Sequence, residues 1–352
     1  MTSGVSWRLA AVIAVLLLVG LAAWGEPVHD LTAHVANGRM SDFDLYQAVA
    51  QQVGRGADYY AAAVQMQRSN GFPLHPFVTV RLPTLAWLLG HLGYGGALTL
   101  ATALIVANAV IWFGALAFTR PAERVCIVAL VLLGSIIVPQ VVYIHEWWAG
   151  QLLSGALGLF LHKRRLTGLV LAIVALLVRE HSVLFVLACL PFLHDRQRQI
   201  PLLLGLIALA TFGLVLMLHR AQVAALVLPT DLTSPGWWEL RGPAGPSTDV
   251  QDMLLFGRPA KPLGSLLAFA PVLGWAEVAT RRSTLPLIWF GGFLTVLATV
   301  ARDDNAFWVL MILPSYVAGI ALAPRALVSL VREVWARAAP GGGTAGSPAV
   351  KG

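Results

Sequence analysis

The stretch Ser41-Asp42-Phe43-Asp44-Leu45-Tyr46 sets two carboxylates and a phenol close together, in a chain where only 12% of residues are charged. A carboxylate beside an acceptor hydroxyl can take its proton as that hydroxyl attacks an activated carbon. The plainer reading is that one of the acids caps a surface helix next to Ser41. Spacing alone leaves both readings open.

Three further groups carry polar chemistry. His145-Glu146-Trp147-Trp148 is not the zinc motif His-Glu-x-x-His, because Ala149 fills its last position. Glu146 can orient an acceptor or hold a divalent cation, or the group can be an aromatic belt at a membrane edge. Arg179-Glu180-His181 is the costliest cluster, since a charge inside a bilayer costs roughly 2.5–3.5 kcal/mol on insertion scales and so pairs or lines a cavity. Its arginine suits a phosphate through a bidentate contact, or pairs only with headgroups and loops. Arg302 is a second phosphate candidate, with Asp303 and Asp304 following directly. His75 and His91 could ligate a metal, but a lone interfacial histidine is more often only a polar tip; Arg81 and Trp237-Trp238 are open in the same way between a site and an interface. No residue set makes a metal site, and no cofactor beyond that candidate cation is implied.

The elements that position these groups follow from composition. Hydrophobic residues make up 58% of the 352, and they come in runs rather than alternating. Runs of about 17–25 residues cross the hydrocarbon core. Spans must be helices, because lipid offers the backbone no hydrogen bonds. The expected fold class is therefore all-α: a polytopic helical membrane protein. The two cysteines, Cys126 and Cys189, sit inside apolar runs and make neither a disulfide framework nor a metal site.

Ten spans are expected, at about 9–24, 96–118, 125–143, 147–161, 166–179, 182–193, 200–218, 263–280, 284–300 and 306–323. The first is read as a retained span, for want of a small-x-small cleavage site. A first outer loop over about 26–95 carries one or two surface helices within Phe43–Met66, broken by Gly54 and Gly56. Residues 77–92, interrupted by Arg81 and Pro83, read as an interfacial helix. A later outer loop covers about 219–262. Residues 1–325 form one membrane domain, and 326–352 a cytoplasmic tail, disordered from about 340. This topology puts 14 of the 24 basic residues inside against Glu123, Asp195, Glu277 and Glu333, with both termini inside. Were 77–92 to span, Lys163-Arg164-Arg165 and Arg281-Arg282 would face outward, against that bias. Topology thus accounts for the net charge of +7. Nucleic acid is not implied, since no basic groove with interleaved aromatics is present.

Outward acids beside tryptophan and tyrosine suit sugar handling, and their order along the chain resembles the GT-C superfamily of membrane glycosyltransferases. The resemblance is to the polyprenol-phosphate-mannose-dependent mannosyltransferases and related bacterial membrane proteins. It rests on Asp42-Phe43-Asp44-Leu45-Tyr46, on Gly56-Ala57-Asp58-Tyr59-Tyr60, and on the Pro-rich entry Phe72 to Phe77 running to Trp87. The Arg179-Glu180 turn and the segment from Arg302 to Pro314 extend it over most of 5–323. The late segment departs from the family, with Asp303 where a tyrosine commonly follows the arginine. No large soluble C-terminal domain follows, so acceptor recognition is expected of the outer loops or a partner.

The resemblance implies transfer of a sugar, mannose or another hexose, from a polyprenyl-phosphate donor. The acceptor is a lipid, glycan or protein on the outer face of a bacterial inner membrane. Asp42 takes the place of the base, with Asp44 as the alternative. Arg179 and Arg302 are the candidates for the donor phosphate. Tyr46, Glu146, Trp147, Glu180 and His181 are the candidates for sugar or acceptor. Two other classes stand beside this one. A transporter or flippase of a lipid-linked glycan would carry mid-span charges on several helices, and almost none lie away from helix ends. A non-catalytic subunit of an envelope assembly would share the fold without the chemistry.

Overall fold

The computed structural model describes residues 7–24, 40–135, 139–194, 199–254 and 261–338. Glu26, Asp30 and the tail from Pro340 lie outside them.

The described residues form helices joined by loops, with no strand among them beyond one isolated bridge between His75 and Thr233. In chain order the helices are α1 (Trp7–Trp24), α2 (Asp42–Gly54), α3 (Tyr59–Ser69), α4 (Pro83–Ala115), α5 (Pro121–Leu133) and α6 (His145–Leu161). Then follow α7 (Arg165–Val178), α8 (Val183–Leu193), α9 (Ile200–Ala224), α10 (Ala244–Met253), α11 (Lys261–Phe269), α12 (Pro271–Arg281) and α13 (Leu285–Thr299). The short α14 (Leu313–Tyr316) and the terminal α15 (Ala323–Ala338) complete the set. Among the described residues, four stretches are long and apolar enough to cross a membrane: Phe77–Ala115, Ile200–Ala224, Pro262–Arg281 and Leu313–Ala336. Shorter apolar helices cover Trp7–Ala23, Arg165–Val178, Glu180–Leu193 and Leu285–Thr299. Apolar side chains stand exposed on the outer surface of α9, where Leu203, Ile207, Leu214, Met217 and Leu218 face outward. A surface of this kind marks contact with lipid or another apolar partner.

Local chemistry sets the elements around the first polar segment. Ser41 caps α2, its hydroxyl accepting from the Asp44 amide at 3.2 Å and donating to the Asp44 carboxylate at 2.7 Å. Asp58 caps α3, accepting from the Ala61 amide at 2.9 Å. One or two helices were expected here, and two are present, parted at residues 55–58. Most of 77–92 and of 96–118 join in α4, Pro83–Ala115, which is kinked at Gly93. That residue has φ 64 and ψ 177, backbone that only glycine adopts freely. The arm before the kink starts at Pro83, and Phe77–Thr79 is a 3-10 turn.

Two expected spans are not continuous helices. In 125–143 the helix ends at Leu133, and Pro139–Tyr143 is a 3-10 turn. In 306–323 the chain runs through 3-10 turns at Asp303–Met311 and Val317–Leu322, with α14 between. Pro314 deprives that segment of a backbone donor. Irregular backbone at membrane depth survives only inside protein, and Val309 to Ala318 are all buried. The boundary expected at 325 falls within α15, which is tied to the bundle by Arg325–Glu123 and Arg8–Glu333.

These ties belong to a cluster at one end of the bundle. Arg8 meets Glu277 at 2.5 Å, Arg281 meets Glu277, and Arg281, Arg282 and Arg325 lie 5.8–5.9 Å from the Phe118 ring. All of these charges were expected on one side of the membrane. The α4 helix runs from this cluster, near Phe118, to a second charged cluster near Arg81.

Candidate active site

The second cluster gathers side chains from five separate segments. Asp42 opens α2, and Tyr46 lies one turn further on the same face. Arg81 lies just before α4. Glu146 is in the first turn of α6, and Arg179 and Glu180 form the turn between α7 and α8. Trp308 arrives from the irregular 303–311 segment.

Arg81 donates from Nε to the Tyr46 hydroxyl at 3.0 Å, and its Nη1 stands 3.7 Å from Glu180. The Tyr59 hydroxyl donates to the Arg81 carbonyl at 2.5 Å, fixing the backbone that presents this guanidinium. Arg179 is 1% exposed, with Nε 2.8 Å from Glu146 Oε1 and Nη1 on Glu180. Its guanidinium also lies 5.9 Å from the Trp308 ring, against which His181 packs at 4.2 Å. The Tyr46 ring meets His145 edge-on at 4.8 Å. His145 is buried, and neither of its ring nitrogens has a hydrogen-bond partner among the described residues. The same holds for Arg179 Nη2, Trp147 Nε1 and Ser182 Oγ. Buried polar atoms are nearly always paired, so this concentration of unspent donors and acceptors suits a polar ligand.

Asp42 is the carboxylate aimed at the cluster. Burial raises it above the ordinary carboxylate range, and Arg81 opposes the rise, while Glu146 and Asp304 add to it. No hydrogen bond from a described residue reaches it. A carboxylate so placed is a stronger base than an exposed one. Burial also pushes the Tyr46 phenol up to about 12, so it stays protonated and can donate.

The other expected site residues divide. Tyr46, Glu146, Arg179, Glu180 and His181 join the cluster. Asp44 does not, since it is exposed and spent on the Ser41 cap. Trp147 is buried edge-on against Trp148 at 5.2 Å. Arg302 is held by its own neighbour: Nε and Nη2 donate to Asp304 at 3.0 and 2.7 Å, and Nη1 to the Pro235 carbonyl at 3.1 Å. Arg179 is likewise engaged on two sides by carboxylates. Arg81, ambiguous in sequence, also joins the cluster and keeps unspent donors, as Arg179 does at Nη2, since a guanidinium offers five N–H groups. The available signal was a lone arginine two residues before Pro83 in an otherwise apolar run. Among the described residues no group of histidines, cysteines and acids is arranged to hold a metal ion.

A narrow pocket lined by Leu45, Tyr46, Arg81, Leu89, Tyr143 and His145 adjoins this cluster. Beyond it, sharing Leu89 and Tyr143, opens a cavity of about 460 Å³. Searches of protein-family models, curated proteins and solved structures find no match to this chain.

Proposed function

We propose that this protein is a membrane glycosyltransferase using a polyprenyl-phosphate sugar, with Asp42 as general base. The carrying observation is the Asp42 carboxylate: unbonded by described residues, raised by burial, and set beside Arg81 in a cluster drawn from five segments. In this reading Asp42 takes the proton of an acceptor hydroxyl. The hydroxyl oxygen forms a bond to the anomeric carbon from the side opposite the phosphate. The bond from that carbon to the phosphate oxygen breaks, and the lipid phosphate leaves with the electron pair. The configuration inverts, and one base suffices.

Arg81 supports this role by offering free N–H groups to the departing phosphate, with Tyr46 holding its orientation. Arg179 acts through Glu146 and Glu180, which it positions. The sugar is mannose or another hexose, and the acceptor is a lipid, glycan or protein. A ten-span topology with both termini inside a bacterial inner membrane fits the division of charge, because the two polar clusters lie at opposite ends of α4.

The test is turnover of synthetic polyprenyl-phosphate mannose and polyprenyl-phosphate glucose by the protein in nanodiscs. Release of polyprenyl phosphate by the wild type, lost in Asp42→Asn with folding intact, supports the reading. Equal release by both proteins removes Asp42 as the base. No binding of either donor moves the weight to a transporter or a non-catalytic subunit.

A further inference from the structure

The cavity of about 460 Å³ lies further along α2 than Asp42, and Gln47 and Gln51, which line it, are turned about 140° and 180° around the helix from Asp42. Its lining is Gln47, Ala50, Gln51, Leu89, Gly90, Gly93, Tyr94 and Tyr143. Its size falls within the range of small-molecule sites, about 300–1,000 Å³. Three features of the lining select a ligand class.

No lining residue is charged, so a phosphate or other anion finds no counterion there. Most of the lining surface is apolar, supplied by Ala50, Leu89 and the faces of Tyr94 and Tyr143, and ring faces of this kind suit the apolar side of a pyranose. The remaining polar side chains are two amides and two phenols. No side-chain hydrogen bond from a described residue engages Gln47, Gln51, Tyr94 or Tyr143, although Tyr143 is only 9% exposed. Gln47 and Gln51 stand one turn apart and present their amides together. Amides pair with vicinal hydroxyls, and tyrosine rings stack on the apolar face of a pyranose. The Gly93 kink keeps the wall open, because the helix turns there without a side chain.

We propose that this cavity binds a neutral saccharide unit, as the distal subsite for a glycan acceptor. The acceptor role rests on the transferase reading of Asp42; the saccharide site itself does not. Along α2, Gln47 and Gln51 lie about 8–14 Å from Asp42 at 1.5 Å rise per residue. That is farther than one pyranose ring spans. A sugar seated here reaches Asp42 only through further units that pass around α2, so the fitting acceptor has at least two sugars.

The test uses the full chain in nanodiscs with three neutral trisaccharides: mannotriose, maltotriose and an N-acetylglucosamine trimer. Each carries a diazirine at its reducing end. The expected result is labelling in peptides covering 47–51 or 90–94, competed by the free trisaccharide and not by inorganic phosphate. The double variant Gln47→Leu/Gln51→Leu should weaken labelling roughly tenfold, the loss expected of two hydrogen bonds. Its thermal unfolding, measured alongside, should match the wild type, because both side chains reach the surface. Asp42→Asn should label as the wild type does.

Absence of competed label in these peptides with all three sugars overturns the proposal. So does transfer to a trisaccharide that the double variant leaves undiminished, and that result keeps Asp42 as the base. Competed label without transfer from any polyprenyl-phosphate sugar keeps the saccharide site and removes the transferase reading.

Discussion

Arg81 Nε donates to the Tyr46 hydroxyl at 3.0 Å, although 35 positions separate the two residues in the chain. This bond joins the surface helix α2 to the entry of α4. It also fixes the Arg81 guanidinium, whose remaining donors are free, in the cluster that holds Asp42. Because Asp42 feels Arg81 as its main lowering influence, the pair sets the working pH of the proposed base.

Transfer should fall as pH drops through the Asp42 ionisation, because the base acts only when deprotonated. Burial places that limb above the ordinary aspartate value of 3.8. Arg81→Met removes the opposing cation, so the acid limb should move to higher pH while maximal turnover also falls. Arg81→Lys should restore most of the limb position and less of the turnover, since lysine lacks the planar fork. A pH–rate profile of the three proteins checks this. An unmoved limb in Arg81→Met would falsify the coupling.

Asp42→Asn should not destabilise the protein at neutral pH. The folded-state value of Asp42 lies above the unfolded one, so folding penalises its ionised form. Stability from this group therefore rises as pH falls through the folded value, and is absent above it. Thermal unfolding of wild type and Asp42→Asn, at neutral and mildly acid pH, measures the difference. The variant should match or exceed the wild type at neutral pH, and the gap should close on acidification.

Glu146→Gln should cost about 3–5 kcal/mol, as expected when one partner of a buried ion pair is removed. Arg179 is almost fully buried, with Nε 2.8 Å from Glu146. Adding Arg179→Met to that variant should recover part of the loss, since no uncompensated charge then remains between them. Denaturation of the two single variants and the double variant gives the coupling. Strict additivity would show that the two side chains do not interact.

Gly54→Val and Gly90→Val should each undock α2 from α4. A Cβ at Gly54 would lie 2.3 Å from the Gly90 carbonyl oxygen, and one at Gly90 would lie 2.5 Å from the Ala50 carbonyl oxygen. The obstacle is backbone on both sides and cannot move aside. Limited proteolysis between residues 40 and 75 should accelerate in both variants, with the rest of the bundle intact.

Asp58→Cys and Arg282→Cys should react with a membrane-impermeant thiol reagent from opposite sides of sealed vesicles. The first belongs to the polar segment carrying Asp42, the second to the charged ring around Phe118. Reaction of both from the same side would refute the proposed topology.

Much of this molecule was legible locally. The helix over α2 is marked by Ser41 and by apolar residues at helical spacing. The sorting of charge between the two ends follows from counting basic residues beside apolar runs. The kink at Gly93 falls in the gap left between 77–92 and 96–118. By contrast, the expected span at 306–323 is apolar enough to look like a helix, yet runs as 3-10 turns. Hydropathy records only that these residues leave water, and burial among helices satisfies that as well as lipid does. The boundary at 325 failed to mark a break for a similar reason. The composition changes there, but α15 continues and is held by ion pairs with residues 8 and 123.

The sequence by itself determined an apolar, helix-forming chain whose charges divide between two ends, because hydropathy, capping and charge balance are properties of short stretches. It left both Asp42 and Asp44 as candidates for the base. Only the tertiary structure decided which of them turns inward, that Arg302 is spent on Asp304, and that Arg81 stands with Tyr46. Those outcomes depend on long-range packing, where burial and the nearest opposite charge, not the neighbours in sequence, set what a side chain is free to do.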